Sequence, residues 1–307
     1  MNPQATPPNS KSAFRAQDLD EPAVNRQVRR LAAASAAPWL HAEVASRMAE
    51  RLAYIKLAPK RVLDTTPALG SSLQVLREAY PTAEMLWHEA HPALEARAAA
   101  ELAGPWWRKW WGSAARHVER LPAVPPVDLV WSNMALHAHA DLPGLLSQWQ
   151  GSLAVGGFVM FSCLGPDTFI ELRALWSRLG WGLPAPMWWD MHDIGDLALK
   201  AGFTDPVMDQ QRLRLTWGSP EQLLADLRAL GGNLSPQRRS GLLGRRWHRQ
   251  LLGELESLRD SDGRLALTLE LVFGHAVKAA PRMVVAAETH VSLDSMRAAL
   301  KVKPPGG

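Results

Sequence analysis

Apolar positions along the chain follow two different periods, and the way these alternate predicts the architecture. From Leu31 to Leu57, Ala, Leu, Val and Met recur at helical spacing, notably through EVASRMAERLAYIKL, with Arg and Glu on the other face. An amphipathic N-terminal helix over residues 28–58 is expected, closed by Pro59. Short apolar runs then alternate with helical segments. Strands are expected at Arg61–Asp64, Ala83–Glu89, Val127–Ser132 and Phe158–Cys163, and helices near Ser71–Tyr80, Pro92–Ala103, Leu142–Leu153 and Asp167–Leu179. A further strand, weak in pattern, belongs around Ala114–Val118. Strand and helix taking turns predicts an α/β fold whose parallel sheet is covered by helices on both faces.

Beyond Gly180 the pattern changes. GWGLPAPMWWD reads as loop, Met191–Ala201 as helix and Pro206–Trp217 as strand. A helix at Pro220–Leu230, the loop GGNLSP and a basic helical segment at Gln237–Leu258 make a helical insertion, residues 218–260, ahead of a long strand at Arg264–His275. The folded domain is therefore placed at residues 25–277, with its core sheet at 60–217. A tail rich in Pro, Gln and Asn (1–24) precedes it, and a second tail (278–307) follows.

Composition narrows the class. With 47% hydrophobic and 21% charged residues the chain is expected to be globular. Its most apolar stretch, Gly156 to Leu164, suits one buried strand and falls short of the ~18–20 residues of a membrane span. The single cysteine, Cys163, excludes an internal disulfide framework and a multi-cysteine zinc site, and reads as a small core residue. The N-terminus has no apolar signal region, so a cytoplasmic setting is expected. The net charge of +4 favours an acidic partner without making a nucleic-acid signature. Trp106–Trp107 and Trp110–Trp111 flank Arg108 and Lys109; packing or a partner surface accounts for them better than stacking on bases.

An open α/β sheet binds ligands beyond the carboxyl ends of its strands, where the strand order reverses. The first strand-to-helix turn, VLDTTPALGSS, is therefore the first candidate site. Backbone can approach a nucleotide closely where glycines remove Cβ, but only Gly70 remains here, and a plain structural turn stays open. Asp64 either orients this turn or a cationic ligand head, or forms buried hydrogen bonds. Glu89, at the end of the second strand, is placed to accept from both hydroxyls of a ribose, or is a solvated loop-end carboxylate. Ser132 and Asn133 end the strand VDLVWSN at the same crevice. His137, His139 and Asp141 lack a second ligand cluster, so no metal is expected.

The segments VDLVWSNMALHAHADL, GGFVMFSCLGPDTFIELRALW and MHDIGDLALKAGFTDPVMD, with the entry helix WLHAEVASRMAERL and the closing LALTLELVFGHA, resemble class I S-adenosylmethionine-dependent methyltransferases. Among these the chain is most similar to the malonyl-acyl-carrier-protein O-methyltransferases of biotin synthesis, from about Val28 to His275. The resemblance implies a seven-stranded, mostly parallel Rossmann-like sheet whose last strand is antiparallel. It implies S-adenosylmethionine as cofactor, lying over Asp64–Gly70, Glu89 and Ser132–Asn133. The family's acid-x-Gly-x-Gly-x-Gly turn is matched by Asp64, Thr66, Ala68 and Gly70, so two glycines are replaced. The acid that meets the adenine amine is matched by His117, and the Tyr-Asp pair of the N-terminal region by the Ala-rich LAAASAAPWL. Each added Cβ is expected to cost on the order of 1–3 kcal/mol if φ is positive or the ligand contact is close.

The implied reaction esterifies the free carboxylate of a malonyl group on acyl carrier protein. A carboxylate is already ionised at neutral pH, so no catalytic base is needed; alignment can supply ~7–11 kcal/mol. The acceptor carboxylate does need a cation, and Arg173, just after GPDTFIEL, is the candidate, with a helix-surface arginine as the alternative. Arg238, Arg239, Arg245, Arg246 and Arg249 lie in a stretch free of acids until Glu254 and form a candidate docking face for an acidic carrier protein, or an ordinary solvated face. Two rival readings stay open: an impaired pseudoenzyme serving as an interaction module, and a methyltransferase with another acceptor.

Overall fold

A computed structural model describes residues 18–103, 115–239, 241 and 244–280. Two helices, α1 (Glu21–Ala32) and α2 (Trp39–Leu52), lead into β1 (Arg61–Asp64), α3 (Leu73–Ala79), β2 (Glu84–Trp87), α4 (Pro92–Ala103) and β3 (Arg116–His117). There follow β4 (Val127–Ser132), α5 (Leu142–Ser152), β5 (Leu153–Leu164), α6 (Ile170–Leu179), α7 (Met191–Lys200) and β6 (Thr204–Trp217). The helices α8 (Pro220–Leu230) and α9 (Arg245–Leu255) precede the last strand, β7 (Leu265–Val277). The sheet order is β3-β2-β1-β4-β5-β7-β6. The strands β1 to β5 pair in parallel, and β7 runs antiparallel to both β5 and β6. Strand order reverses between β1 and β4, so the ligand crevice opens beyond Asp64 and Ser132.

Strands buried on both faces read as continuous apolar runs, and β4 shows how the two sides divide. Val130 packs with Leu63, Trp149 and Ile194 on the side of α5 and α7, while Leu129 and Trp131 pack with Leu40, Val44 and Met48 of α2. Those three α2 side chains are at most 1% exposed; at ~1.5–3 kcal/mol each they hold this helix across β1 and β4. A third cluster, including Leu172, Trp181, Leu223, Leu251, Leu255 and Leu267, seats α8 and α9 against α6 and the start of β7. The expected seven-stranded, mostly parallel sheet with an antiparallel last strand and a helical insertion is the one observed.

Several boundaries differ from expectation. The N-terminal helix is two helices: α1 begins at Glu21, inside the expected tail, because the Asp20 carboxylate caps Ala23 N at 2.8 Å and Pro22 suits a first turn. The break at residues 33–38 ends at Pro38, which cannot donate to a continuing helix. The segment after Cys163 is not helical until Ile170: Gly165 N and Phe169 N donate to Glu270 O and Thr268 O of β7. The basic segment is not helical at residues 237–239, and its described helix begins at Arg245, after Gly244. The Trp pairs at 106–111, and residues 1–17 and 281–307 of the expected tails, lie outside the described residues.

Candidate active site

The turn after β1 is built by side chains where glycines were expected. Asp64 Oδ1 accepts from Thr66 N at 2.9 Å and from the Thr66 hydroxyl at 3.3 Å, and that hydroxyl accepts from Asn133 N at 3.0 Å. Asn133 Nδ2 in turn donates to Gly70 O and to His41 O, both at 2.7 Å. The Trp131 indole donates to Ser72 Oγ at 2.8 Å, and Ser72 donates to Gly70 O at 3.1 Å. Gly70 N closes the turn on Thr66 O at 2.6 Å. A Cβ on Gly70 would sit 2.6 Å from that same carbonyl, so the remaining glycine is required by close approach.

Thr66 and Ala68 are absent from the non-glycine residues with positive φ among the described residues, so that source of the expected strain does not arise. Ala68 is 2% exposed and packs with Trp87, Leu94 and Ala98, while the Thr66 hydroxyl ties β1 to β4. Left-handed backbone falls at Ser71 (φ 53°), Met134 (φ 57°) and Phe169 (φ 61°), where the turn, β4 and the segment before α6 meet the crevice.

Two buried carboxylates face this turn. Glu89 Oε1 accepts from Ala68 N at 3.0 Å. Burial pushes the Asp64 carboxyl up to about 7 and Glu89 up to about 8; the charge of Asp64 adds to the rise at Glu89. Asp64 Oδ2 and Ser132 Oγ are buried with no hydrogen-bond partner. Among the described residues the crevice thus holds acceptor capacity and acids that lack a cation. His117 is one strand away: its ring stacks on Trp87 with centroids 4.1 Å apart, and its Nε2 is 3.4 Å from Glu95 Oε1.

Next to the turn lies a cavity of about 260 Å³, with His41, Met134, His137, Phe169, Trp188 and Leu269 in its wall. His41 Nδ1 meets Leu69 O at 2.9 Å. Burial drives His41 down to about 4 and His137 to about 3, the latter helped by His41, so both imidazoles are neutral at physiological pH. His41 escaped the sequence reading; its signal was a polar residue on the buried α2 stripe of Leu40, Val44, Ala45 and Met48. No cluster of potential metal ligands occurs among the described residues.

Arg173, on α6, is tied to three residues that line this cavity. It donates to Pro186 O at 2.6 Å and Ala185 O at 3.3 Å and lies over the Trp188 ring. Its Nε is buried without a partner, and burial lowers its pKa. Arg238 pairs with Asp20 at 2.7 Å; Arg239, Arg245, Arg246 and Arg249 are exposed. On α9, residues 245, 246 and 249 fall within ~100° of one another, away from buried Leu251 and Leu255. Cys163 is buried, and burial pushes its thiol up to about 12, as suits a core residue.

No family model matches the chain. It is 39% identical over 251 residues to the malonyl-[acyl-carrier protein] O-methyltransferase of Gallionella capsiferriformans (strain ES-2), covering 80% of this chain and 86% of that one. The chain belongs to the malonyl-[acyl-carrier protein] O-methyltransferase family. A second relative in this family, from Methylovorus sp. (strain MP688), is 36% identical over 277 residues, 87% of this chain and 92% of its own. The fold is shared beyond the malonyl-[acyl-carrier protein] O-methyltransferases. The YcgJ protein of Bacillus subtilis superposes with a TM-score of 0.50 at 12% identity, covering 78% of this chain and 99% of its own. A candidate methyltransferase from Bacillus halodurans C-125 does so with a TM-score of 0.51 at 13% identity, covering 76% and 100%.

The residues of this malonyl-[acyl-carrier protein] O-methyltransferase family member fit an S-adenosyl sulfonium ligand. Such a ligand brings what the crevice lacks: a cationic end, and ammonium and hydroxyl donors for the buried acids Asp64 and Glu89 and the orphaned Asp64 Oδ2. A pseudoenzyme would require a damaged turn. That turn is instead cross-tied through Thr66, Asn133 and Ser72.

Proposed function

We propose that the chain transfers the methyl group of S-adenosylmethionine to the free carboxylate of a malonyl group on acyl carrier protein, in biotin synthesis. The carrying observation is the juxtaposition of a cross-tied turn, with its two cation-deficient buried acids, and a cavity whose wall contains no Asp or Glu. When bound, the cofactor supplies an electrophilic methyl group on a sulfonium.

The chain's own residues position and shield. Asp64 and Glu89 bind the amino and ribose ends of the cofactor from Thr66, Ala68 and Gly70, with Ser132, Asn133 and His117 along the same strand ends. His41 and His137, both neutral, line the acceptor side without imposing charge. Arg173 offers its unpartnered Nε–H to the acceptor carboxylate. No residue has to remove a proton, because the nucleophile is already an anion.

Exposed Arg239, Arg245, Arg246 and Arg249, with Arg238 anchored by Asp20, form the face on which an acidic carrier docks. No helix among the described residues is long and apolar enough to cross a membrane. A cytoplasmic setting is part of this proposal, supported by the lone, buried thiol.

The test is transfer of labelled methyl from S-adenosylmethionine to malonyl-acyl carrier protein, with acetyl-acyl carrier protein as control. Label in the malonyl ester alone is expected. Cofactor binding with no label in any malonyl thioester would move the assignment to another acceptor, and no cofactor binding at millimolar concentration would overturn it altogether.

A further inference from the structure

The cavity is graded in charge and exposure. Its floor beside the turn is formed by His41 and Met134, each 6% exposed. Its rim is formed by Arg30 of α1, Arg228 of α8 and the Gly231–Gly232 link that follows α8. Both arginines are exposed, and no carboxylate lies in the wall to neutralise them. Arg30 donates through Nη2 to Gly231 O, which orients its guanidinium while leaving other N–H groups for a ligand. Arg228 makes no ion pair among the described residues. Gln27 fixes the glycine link from α1: its Oε1 accepts from Gly232 N at 2.8 Å, and a Cβ on Gly231 would meet its Nε2 at 2.7 Å. Two helices and a tight backbone link thus place two guanidinium groups at the mouth of a chamber whose wall is mostly apolar and carries no acid.

A free dicarboxylic acid has its charges only a few bonds apart. A thioester arm has a carboxylate at its tip and a phosphate many bonds farther back, which matches a basic rim set apart from the floor. We propose that Arg30 and Arg228 bind the phosphate of a phosphopantetheine thioester whose acyl end lies at the floor. The inference rests on the methyl-transfer reading and adds the site that recognises the arm. A coenzyme A thioester and a carrier-bound thioester share this phosphate chemistry.

The experiment compares three malonyl acceptors in the full chain: carrier-bound, coenzyme A-bound, and pantetheine-bound without phosphate. For Arg228→Gln and Arg30→Lys, thermal midpoints confirm folding. Arg228→Gln is expected to raise KM about tenfold for both phosphate-bearing acceptors, with kcat within about twofold and the phosphate-free KM unchanged. Arg30→Lys keeps a charge and a donor but loses the fork, and a smaller shift of the same kind is expected. Equal effects on all three acceptors, or none, overturn the phosphate site. An effect confined to the carrier-bound acceptor places Arg228 on the protein-docking surface and overturns it too. A wild-type chain that methylates no malonyl thioester overturns both this inference and the reading beneath it.

Discussion

The backbone amide of Asn133, at the end of β4, donates to the hydroxyl of Thr66, in the turn after β1, at 3.0 Å; both residues are at most 8% exposed. This bond joins the two strands that flank the crevice at the position where a glycine was expected. Thr66→Gly should therefore not improve the site. It strands a buried amide, with a loss of about 1–3 kcal/mol in folding stability, and Thr66→Val should do the same, while Thr66→Ser stays near wild type. Urea denaturation of the three variants, with cofactor titration of each, checks this. Tighter cofactor binding by Thr66→Gly at unchanged stability would show that the hydroxyl is dispensable.

Gly70 makes the complementary case. Its virtual Cβ lies 2.6 Å from both Thr66 O and Thr66 Oγ1 and 2.9 Å from Ser72 Oγ, so Gly70→Ala must open the turn. Because Asn133 holds Gly70 O, the displacement passes directly to β4. Cofactor affinity is expected to fall roughly ten- to a hundredfold, on the order of 1–3 kcal/mol. Calorimetric titration reads the change, and an affinity within about twofold of wild type contradicts it.

The acids of the crevice give a pH signature. Asp64 and Glu89 rise from 3.8 and 4.5 to about 7 and about 8, so between these limits the folded chain holds more protons than the unfolded one. Stability of the ligand-free chain must then fall as pH rises through that window. Glu89→Gln should flatten the slope and stabilise the ligand-free chain on its alkaline side, while weakening cofactor binding. A cationic ligand reverses the balance by favouring the ionised acids. Its binding should release protons near neutrality and tighten as pH rises through about 7 to 8. Calorimetry in two buffers of different ionisation enthalpy measures the protons released, and zero release excludes ionised Asp64 and Glu89 as the ligand's partners.

What could be read from residues alone follows from how local each signal is. The order of strands and helices was legible because VDLVWS and FVMFSC are strand-length apolar runs and because Pro59 and Gly180 punctuate neighbouring segments. The start of α1 was hidden by its polarity: only Ala23 and Leu31 are buried, so no apolar stripe marks it. Asp64, Glu89 and Asn133 were singled out because strand ends in an open sheet border the ligand crevice. The role of Thr66 was not, because its partner Asn133 is distant in sequence and a hydroxyl in place of a glycine reads as damage. The likeness between GPDTFIELR and the family motif has a long-range cause as well. Gly165 makes room for the Glu270 carboxylate, and Glu171 accepts from Thr268 N at 2.9 Å and from its hydroxyl at 2.6 Å.

Arg173 is bound to Ala185 O and Pro186 O, so removing it alters the cavity wall whether or not it touches the acceptor. The two roles separate by charge on the ligand. If its Nε–H meets the malonyl carboxylate, Arg173→Lys should weaken the malonyl thioester about tenfold or more, since a point charge does not replace the fork. The methylated product, which has lost that negative charge, should inhibit wild type and variant alike. If Arg173 serves only to hold residues 185–187, acid and ester should weaken together. Measuring KM for the malonyl thioester beside the inhibition constant of its methyl ester decides between these outcomes. Parallel losses would leave the carboxylate without an assigned cation at this wall and return the search to the other residues around Trp188.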